Sequence, residues 1–280
     1  MSAPRHTTAP EANEAPVFDH LRAAEILTDA AAKAGAAIMA HYGKPVEVKL
    51  KDDASPVTRA DRDADAVLLA ALKELAPDIP VVSEETAADR NAPQGRLFFL
   101  VDPLDGTKEF IKQRTDFTVN VALIEDGFPR FGIVYAPARK LLAVTLADGV
   151  AIEAEMAPSK DGADLNALVT KRLHARAPDP KGLTALVSLS HLDEKTEDFL
   201  RGFNISTRNG AGSSVKFLEI ARGNADVYPR FGPTMEWDTA AGQAILEAAG
   251  GLVETPDGGP LRYGKPGLRN PPFIARGRAA

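Results

Sequence analysis

Apolar residues in the first part of the chain recur at helical spacing. Residues 18–42 are rich in alanine, carry larger apolar side chains along one side and are followed by Gly43. This pattern predicts a long helix with a glycine stop. Residues 61–75 keep a helical period and are followed by Pro77, which predicts a second helix ending before the proline.

The pattern then changes to short apolar runs of strand length. Asp126 and Gly127 lie between two such runs and predict a β-hairpin. After about residue 150, strand-like and helix-like segments alternate, and the glycine- and proline-rich tail after Thr255 predicts irregular structure. The predicted strands are 81–83, 97–101, 119–124, 132–135, 183–188 and 225–228, and the later predicted helices are 193–200, 213–221 and 238–249.

These elements predict an α/β protein in which helices and sheets form layers. We divide it into a flexible N-terminal arm (residues 1–16), an N-terminal α+β subdomain (17–150) and a C-terminal α/β subdomain (151–280). A cleft between two such halves is a usual place for a small-molecule site.

Composition excludes several classes of function. The chain has no cysteine, which excludes disulfide scaffolds, thiolate zinc sites and cysteine nucleophiles. Its 33 basic and 39 acidic residues give a net charge of −6, which argues against a nucleic-acid surface but not against a small anionic substrate bound through metal ions. No apolar run approaches the length of a membrane span, and residues 1–16 do not resemble a secretory signal. We expect a cytoplasmic protein, with peripheral inner-membrane association and oligomeric state left open.

The most informative motif is DPLDGT at residues 102–107, directly after the apolar run at 97–101. In a turn, the side chains of Asp102 and Asp105 and the carbonyl of Leu104 can converge on one point. Three hard oxygen atoms are the ligands that Mg²⁺ prefers. A surface turn with no ligand is the structural alternative.

The end of the same motif is suited to an anion. Gly106 and Thr107 open a short predicted helix, whose free N–H groups would receive a phosphate.

Further acidic residues strengthen the metal hypothesis. Glu84 and Glu85 follow the run at 81–83, and Asp238 begins the helix predicted at 238–249. Taken singly, the glutamates are compatible with a solvated loop and Asp238 with a helix-start acid. Together with the DPLDGT carboxylates they would repel one another strongly, so metal ions are the natural counter-charge.

These motifs resemble those of the inositol monophosphatase superfamily of Mg²⁺-dependent, Li⁺-sensitive phosphatases. The resemblance covers about residues 20–275, departs at the arm and at 151–182, and implies a sugar-phosphatase type of fold with alternating helix and sheet layers. It is closest to the CysQ-type branch, the 3'(2'),5'-bisphosphate nucleotidases, through four further motifs: DASPVT at 53–58, GTKEF at 106–110, GSSVKF at 212–217 and YPRFGP at 228–233.

The resemblance implies roles for individual residues. The implied metal ligands are Glu84, Asp102, the carbonyl of Leu104, Asp105 and Asp238, and the implied phosphate-binding turn is Asp105, Gly106 and Thr107. Asp53 and Thr107 would orient the attacking water, and Asp238 would hold a second water that protonates the leaving oxygen. The implied nucleotide contacts are His191, Ser213, Lys216 and Arg230. Glu85 is expected to support its neighbour, and Asp61 to be a first-turn helix acid.

Three of the nucleotide contacts also have a structural alternative. Lys216 is compatible with a solvated helix residue, Arg230 with a surface salt-bridge partner and His191 with a loop histidine.

The implied function is Mg²⁺-dependent hydrolysis of the 3'-phosphate of 3'-phosphoadenosine 5'-phosphate (PAP), a nucleotide of sulfur metabolism, to AMP and phosphate. The sulfated form of PAP is a second expected substrate. One alternative is a phosphatase of the superfamily that acts on inositol or fructose phosphates. The other is a metal- and nucleotide-binding regulator without turnover. The Lys216 and Arg230 pair favours a substrate with a second phosphate.

Overall fold

The computed structural model describes residues 18–45, 49–50, 56–86, 95–147, 149–190 and 192–278. The helices in this part of the chain are α1 (His20–Met39), α2 (Arg59–Leu75), α3 (Thr107–Ile111), α4 (Glu194–Arg201), α5 (Val215–Ala221) and α6 (Ala240–Ala248). The first strands are β1 (Lys49–Leu50), β2 (Pro56–Val57), β3 (Val81–Ser83), β4 (Leu97–Asp105), β5 (Thr118–Glu125), β6 (Phe128–Ala136) and β7 (Leu141–Ala147). The remaining strands are β8 (Val150–Glu155), β9 (Thr170–Arg172), β10 (Leu183–Ser188), β11 (Ile205–Ala211), β12 (Val227–Arg230), β13 (Leu252–Glu254) and β14 (Phe273–Arg276).

Two large sheets and three sets of helices form alternating layers. The larger sheet has the order β3-β4-β5-β6-β7-β8-β9, and the smaller one has the order β11-β10-β12-β14-β13. Helices α1 and α2 cover one face of the larger sheet, α5 and α6 lie between the two sheets, and α4 covers the outer face of the smaller sheet. The predicted layered fold is confirmed.

The outer helix layer is held by caps at its starts and by small residues along its buried side. The Asp19 carboxylate accepts the Arg22 N–H at 3.0 Å and so begins α1. Thr58 and Asp61 form a reciprocal capping box at the start of α2, which satisfies N–H groups that a helix end leaves open. Most of the alanines of α1 are buried against α2 and the sheet, and their small side chains let the helices approach closely.

The larger sheet extends past the predicted subdomain boundary at residue 150. Strand β8 starts there and pairs with β7, with Leu142 opposite Ala154, and β9 pairs in turn with β8. The two sheets therefore divide between Arg172 and Leu183, later than the sequence pattern indicated.

The C-terminal tail is more regular than its glycine and proline content suggests. Strand β14 lies inside the smaller sheet between β12 and β13, with Phe273 opposite Arg230 and Ala275 opposite both Tyr228 and Val253. Phe273, Ile274 and Ala275 are fully buried, so β14 is a central strand. The prediction of an irregular tail is wrong for this segment, because a short apolar run with buried faces on both sides shows no alternation.

No helix in the described part of the chain is long and apolar enough to cross a membrane. The predicted arm at residues 1–16 lies outside the described residues.

The middle helix layer approaches the larger sheet so closely that glycine is required in β6. A Cβ on Gly132 would lie 2.5 Å from the Ala241 carbonyl oxygen and 2.9 Å from Ala244 Cβ. We expect Gly132→Ala to lower the free energy of unfolding by about 1–3 kcal/mol, since overpacking against a backbone has no easy relief. Urea denaturation measures this change.

Gly202 at the end of α4 provides the matched control. Its φ is −74° and a Cβ there would meet only the Phe199 carbonyl, at an ordinary 3.4 Å. Gly202→Ala is expected to change stability by less than about 1 kcal/mol. Equal effects of the two substitutions would contradict the proposed close packing.

Candidate active site

One cavity of about 800 Å³ lies where the carboxylate-bearing ends of the larger sheet face the start of the middle helix layer. We call it the central cleft. It gathers nearly all of the residues singled out in the sequence: Glu84, Asp102, Leu104, Asp105, Gly106, Thr107, Ser213, Lys216, Arg230 and Asp238. Asp53 and His191 lie outside the described residues.

The DPLDGT motif continues β4 instead of forming a free turn. Asp102 pairs with Asn120 and Asp105 with Thr118, so three steps along β4 match two along β5. This bulge redirects side chains at the strand end. Within it, the Leu104 N–H donates to the Asp102 carboxylate at 3.0 Å, which fixes that carboxylate beside the cleft.

The glycine of the motif turns the chain sharply into α3. Gly106 has a φ of +92°, and a Cβ there would lie 3.0 Å from the Asp116 carbonyl oxygen. Only glycine satisfies both conditions without strain. Gly106, Thr107 and Lys108, at the start of α3, all line the cleft, and no side chain caps this helix start.

Glu84 reaches the cleft because its strand runs parallel to β4. Ser83 pairs with Val101, and the Glu84 N–H donates to the Val101 carbonyl at 3.0 Å. The Ser83 hydroxyl donates to buried Asp65 of α2 at 2.5 Å. Glu84 thus lies one strand away from Asp102, at the same sheet edge.

Asp61 contacts Thr107, a residue that lines the cleft, and the sequence interpretation did not indicate this contact. It is the first-turn helix acid that was expected, and one of its oxygens accepts the Thr58 N–H at 2.8 Å. Its other oxygen accepts the Thr107 hydroxyl at 3.1 Å. Burial raises the pKa of Asp61, and the charge of Glu84 adds to this. A carboxylate on the apolar side of an amphipathic helix was the available signal.

Asp105 and Asp238 come from opposite sides of the cleft. Asp105 accepts the Ser214 N–H at 2.7 Å and the Asn120 amide at 3.3 Å. Asp238 ends a 3₁₀ turn, Glu236–Asp238, and its carboxylate accepts the Met235 N–H at 2.8 Å. Helix α6 starts only at Ala240, so Asp238 precedes the helix that it was expected to begin.

The two carboxylates lie in a strongly desolvated, negative environment. Burial raises the pKa of Asp105 to about 6 despite the opposing charge of Lys216. Burial also raises the pKa of Asp238 well above its ordinary value, and the charges of Asp105 and Glu84 raise it further. Such a cluster favours protons or a cation as counter-charge.

The donor set suits a hard divalent cation. The described ligand candidates offer carboxylate and carbonyl oxygens, which Mg²⁺ prefers over nitrogen or sulfur. In the described part of the chain, no three acidic or histidine side chains are grouped closely enough to hold an ion as they stand. The fit therefore rests on donor chemistry and excess negative charge, not on a preformed cage.

Two buried cations, Lys216 and Arg230, also line the cleft. The Lys216 ammonium is buried, donates to the carbonyls of Ala211 (3.2 Å) and Ser213 (2.6 Å), and lies 5.0 Å from the centre of the Tyr228 ring. Burial lowers its pKa to about 8. This excludes the interpretation of Lys216 as a solvated helix residue.

Arg230 lines the same cleft. It is only 6% exposed and donates to the Pro233 carbonyl at 3.1 Å. Arg230 is therefore not a surface residue, as the structural alternative from sequence required.

Comparison with known proteins gives consistent results. Residues 20–277 match the model of the inositol monophosphatase family. The 3'(2'),5'-bisphosphate nucleotidase CysQ of Salmonella typhimurium is 44% identical over 236 residues, which cover 83% of this chain and 90% of the relative. The corresponding nucleotidase of Escherichia coli K12 is 42% identical over the same shares of both chains.

Solved structures agree in fold. CysQ from Bacteroides thetaiotaomicron, a bacterial member of the inositol monophosphatase family, has a TM-score of 0.79 and 39% identity, with 92% of this chain and 98% of that one covered. An inositol monophosphatase from Zymomonas mobilis has a TM-score of 0.69 and 25% identity, with 90% and 92% covered.

The buried charge of Asp238 generates a prediction for the metal-free chain. The pKa of Asp238 is higher in the folded chain than in the unfolded chain. Ionisation therefore destabilises the fold progressively as pH rises from the unfolded pKa through the folded pKa. In EDTA at pH 8, Asp238→Asn should therefore raise the midpoint of thermal unfolding. The expected rise is about 2–4 °C for each kcal/mol added to the free energy of unfolding. At lower pH the gain should shrink, because the raised pKa of Asp238 means that its buried carboxyl carries less charge as pH falls.

Asp257→Asn is the matched control, because Asp257 is exposed and its pKa is lowered, chiefly by the Thr255 hydroxyl. It should not raise the midpoint at either pH. The same gain for Asp238→Asn at pH 5 and pH 8 would contradict the assignment of a buried, costly charge.

Proposed function

This chain belongs to the inositol monophosphatase family, and we propose that it is a Mg²⁺-dependent 3'(2'),5'-bisphosphate nucleotidase that hydrolyses the 3'-phosphate of PAP to AMP and phosphate. The observation that carries the proposal is the meeting, in one cleft, of several acidic side chains with buried Lys216 and Arg230. The nucleotidases named CysQ support it, because they match most of this chain. The sulfated form of PAP is a second proposed substrate.

Glu84, Asp102, the Leu104 carbonyl, Asp105 and Asp238 would hold Mg²⁺. When bound, Mg²⁺ supplies charge that neutralises the phosphate and acidifies water at the site. The N–H groups at Gly106 and Thr107 would hold the phosphate oxygens, since a helix start offers free donors. Family membership also leads us to propose inhibition by Li⁺.

Thr107 and Asp61 would direct the attacking water. The Thr107 hydroxyl has the Asp61 carboxylate at 3.1 Å and the Leu104 carbonyl at 3.2 Å as acceptors. Its proton is thus engaged, and its lone pairs are left to accept a hydrogen bond from water. Asp61, whose pKa burial raises, would receive the proton through Thr107. Asp53 remains a proposed contributor from the motif resemblance, and Asp238 would direct the water that protonates the leaving 3'-oxygen.

Lys216, Arg230 and Ser213 would contact the nucleotide end of the substrate, with His191 as a further proposed contact. The two cations donate to backbone carbonyls in this structure, and a phosphate is a stronger, charge-assisted acceptor. This favours a substrate with a second phosphate over one with a single phosphate, such as inositol 1-phosphate. A regulator without turnover would have no use for the Thr107–Asp61 pair.

The substrate proposal is tested by phosphate release from PAP, its sulfated form, inositol 1-phosphate and fructose 1,6-bisphosphate. We expect the highest kcat/KM with PAP. Lys216→Ala and Arg230→Ala should each lower kcat/KM for PAP about 10- to 150-fold, the effect of losing a charge-assisted hydrogen bond. The rates with inositol 1-phosphate should change little, so the preference for PAP narrows.

Lys171→Ala is the control, because Lys171 is an exposed cation on β9, and it should leave both rates unchanged. A highest rate with inositol 1-phosphate would refute the nucleotidase proposal. The relevant quantity is kcat/KM for PAP divided by kcat/KM for inositol 1-phosphate. If neither Lys216→Ala nor Arg230→Ala changes this ratio by more than about threefold, roughly 0.6 kcal/mol, the nucleotide contacts are misassigned.

The water-directing pair is tested separately. Thr107→Val and Asp61→Asn should each lower kcat for PAP by about 100-fold or more, the usual effect of losing a positioned acid–base group. KM should stay within a few-fold, since neither side chain is proposed to bind the nucleotide end. Steady-state kinetics at saturating Mg²⁺ separates the two constants. Thr170→Val, on exposed β9, is the control, and a kcat within threefold of wild type for Thr107→Val would reject the role.

A further inference from the structure

One buried serine connects the Asp105 carboxylate to the backbone of Asp238, two residues that come from different elements around the central cleft. Ser214 is 1% exposed. Its N–H donates to the Asp105 carboxylate at 2.7 Å, and its hydroxyl donates to the main-chain carbonyl of Asp238, also at 2.7 Å. Asp105 belongs to β4 of the larger sheet, and Asp238 belongs to the turn before α6. A single residue therefore spans the gap between them.

Asn120 of β5 fixes the direction of the serine hydroxyl. Its amide nitrogen donates to the Ser214 oxygen at 3.0 Å and to the Asp105 carboxylate at 3.3 Å. Because the serine oxygen accepts from Asn120, its own proton is directed to the Asp238 carbonyl. Asp105, Asn120 and Ser214 thus form a closed set of hydrogen bonds to which the Asp238 backbone is attached.

Local backbone structure gives Ser214 its orientation. Ser213 has a positive φ of 45°, a conformation that side-chain-bearing residues adopt infrequently. The preceding Gly212 has no room for a Cβ, which would lie 2.6 Å from the Asp116 carbonyl oxygen. Its N–H is held by the Asp116 carboxylate at 3.1 Å. The chain is thereby turned so that the Ser214 N–H faces the cleft.

Helix capping does not account for this serine. Ser214 occupies the position just before α5, where serine hydroxyls commonly cap the helix. Here the hydroxyl makes no capping hydrogen bond to α5 and instead contacts the Asp238 carbonyl. The Ser214 hydroxyl therefore makes a contact beside the cleft and does not cap α5.

We infer that Ser214 is a positioning residue that holds Asp105 and Asp238 at the separation required to share a divalent cation. The inference rests on the proposed function only in taking these two carboxylates as Mg²⁺ ligands. Groups that orient metal ligands commonly contribute about 10- to 100-fold to metal affinity. Because the hydroxyl holds the Asp238 backbone and not its carboxylate, we expect the lower end of that range.

The test measures binding of Mg²⁺ alone to the metal-stripped chain by isothermal titration calorimetry. Ser214→Ala removes the hydroxyl but keeps the N–H to Asp105, and it should weaken Mg²⁺ binding about 10-fold. Ser214→Thr keeps a hydroxyl and should stay within threefold of wild type. With PAP as substrate, Ser214→Ala should raise the Mg²⁺ concentration for half-maximal rate and leave KM for PAP at saturating Mg²⁺ within twofold.

Thr145→Val is the matched control for loss of a buried hydroxyl. The Thr145 oxygen is buried in β7 and accepts the Gly132 N–H at 3.0 Å, away from the cleft. This variant should lower the thermal midpoint and leave Mg²⁺ affinity unchanged. If Ser214→Ala likewise lowers only the midpoint, with Mg²⁺ affinity within threefold of wild type, the inference is overturned.

A second variant covers the case in which Ser214→Ala does not fold. Ser214→Cys nearly preserves the side-chain shape but offers only a weak donor, so it should weaken Mg²⁺ binding at least threefold. Unchanged affinity in that variant also overturns the inference. If the expected affinity pattern appears in a chain that does not hydrolyse PAP, the positioning role stands and the proposed function fails.

Discussion

The structure depends on keeping several carboxylates close together and away from bulk water. Burial raises the pKa of Asp105, Asp238 and Asp61 alike, so each resists carrying its charge in the folded chain. The fold offsets part of this cost with backbone donors: Ser214 N–H for Asp105, Met235 N–H for Asp238 and Thr58 N–H for Asp61. Those hydrogen bonds hold the carboxylates in place but do not cancel the repulsion between them. The remaining negative charge favours binding of a cation.

Neither sheet contains the complete set of residues. The ends of β3 and β4 supply Glu84, Asp102 and Asp105, while Asp238 comes from the turn that leads into α6. The width of the cleft is therefore set by how closely the middle helix layer packs on the larger sheet. The absent Cβ of Gly132 permits close contact with Ala241 of α6, the helix that follows Asp238, so this packing contributes to the position of that carboxylate.

Sequence alone could predict the parts of the site that are local in the chain. Asp102 and Asp105 share one hexapeptide, and their placement at a strand end follows from the apolar run before them. The Thr107–Asp61 contact joins residues 46 positions apart, and nothing in the spacing of either residue indicates it. Ser214 was equally hidden, because it lies inside the helix predicted at 213–221 and its partners Asp105 and Asp238 are 109 and 24 positions away. Strand β14 was missed because its pairing partners, not its own pattern, make it central.

Under the proposed function, the two kinds of charge in the cleft would favour a substrate with two phosphates. A phosphate beside the carboxylates would be bound through Mg²⁺. Lys216 and Arg230 donate to main-chain carbonyls, which are weaker acceptors than a phosphate. A second phosphate on the substrate would give these cations a stronger acceptor, so the gain in binding would come from the phosphate that does not react. Binding energy remote from the reacting phosphorus would then position the scissile phosphate for attack.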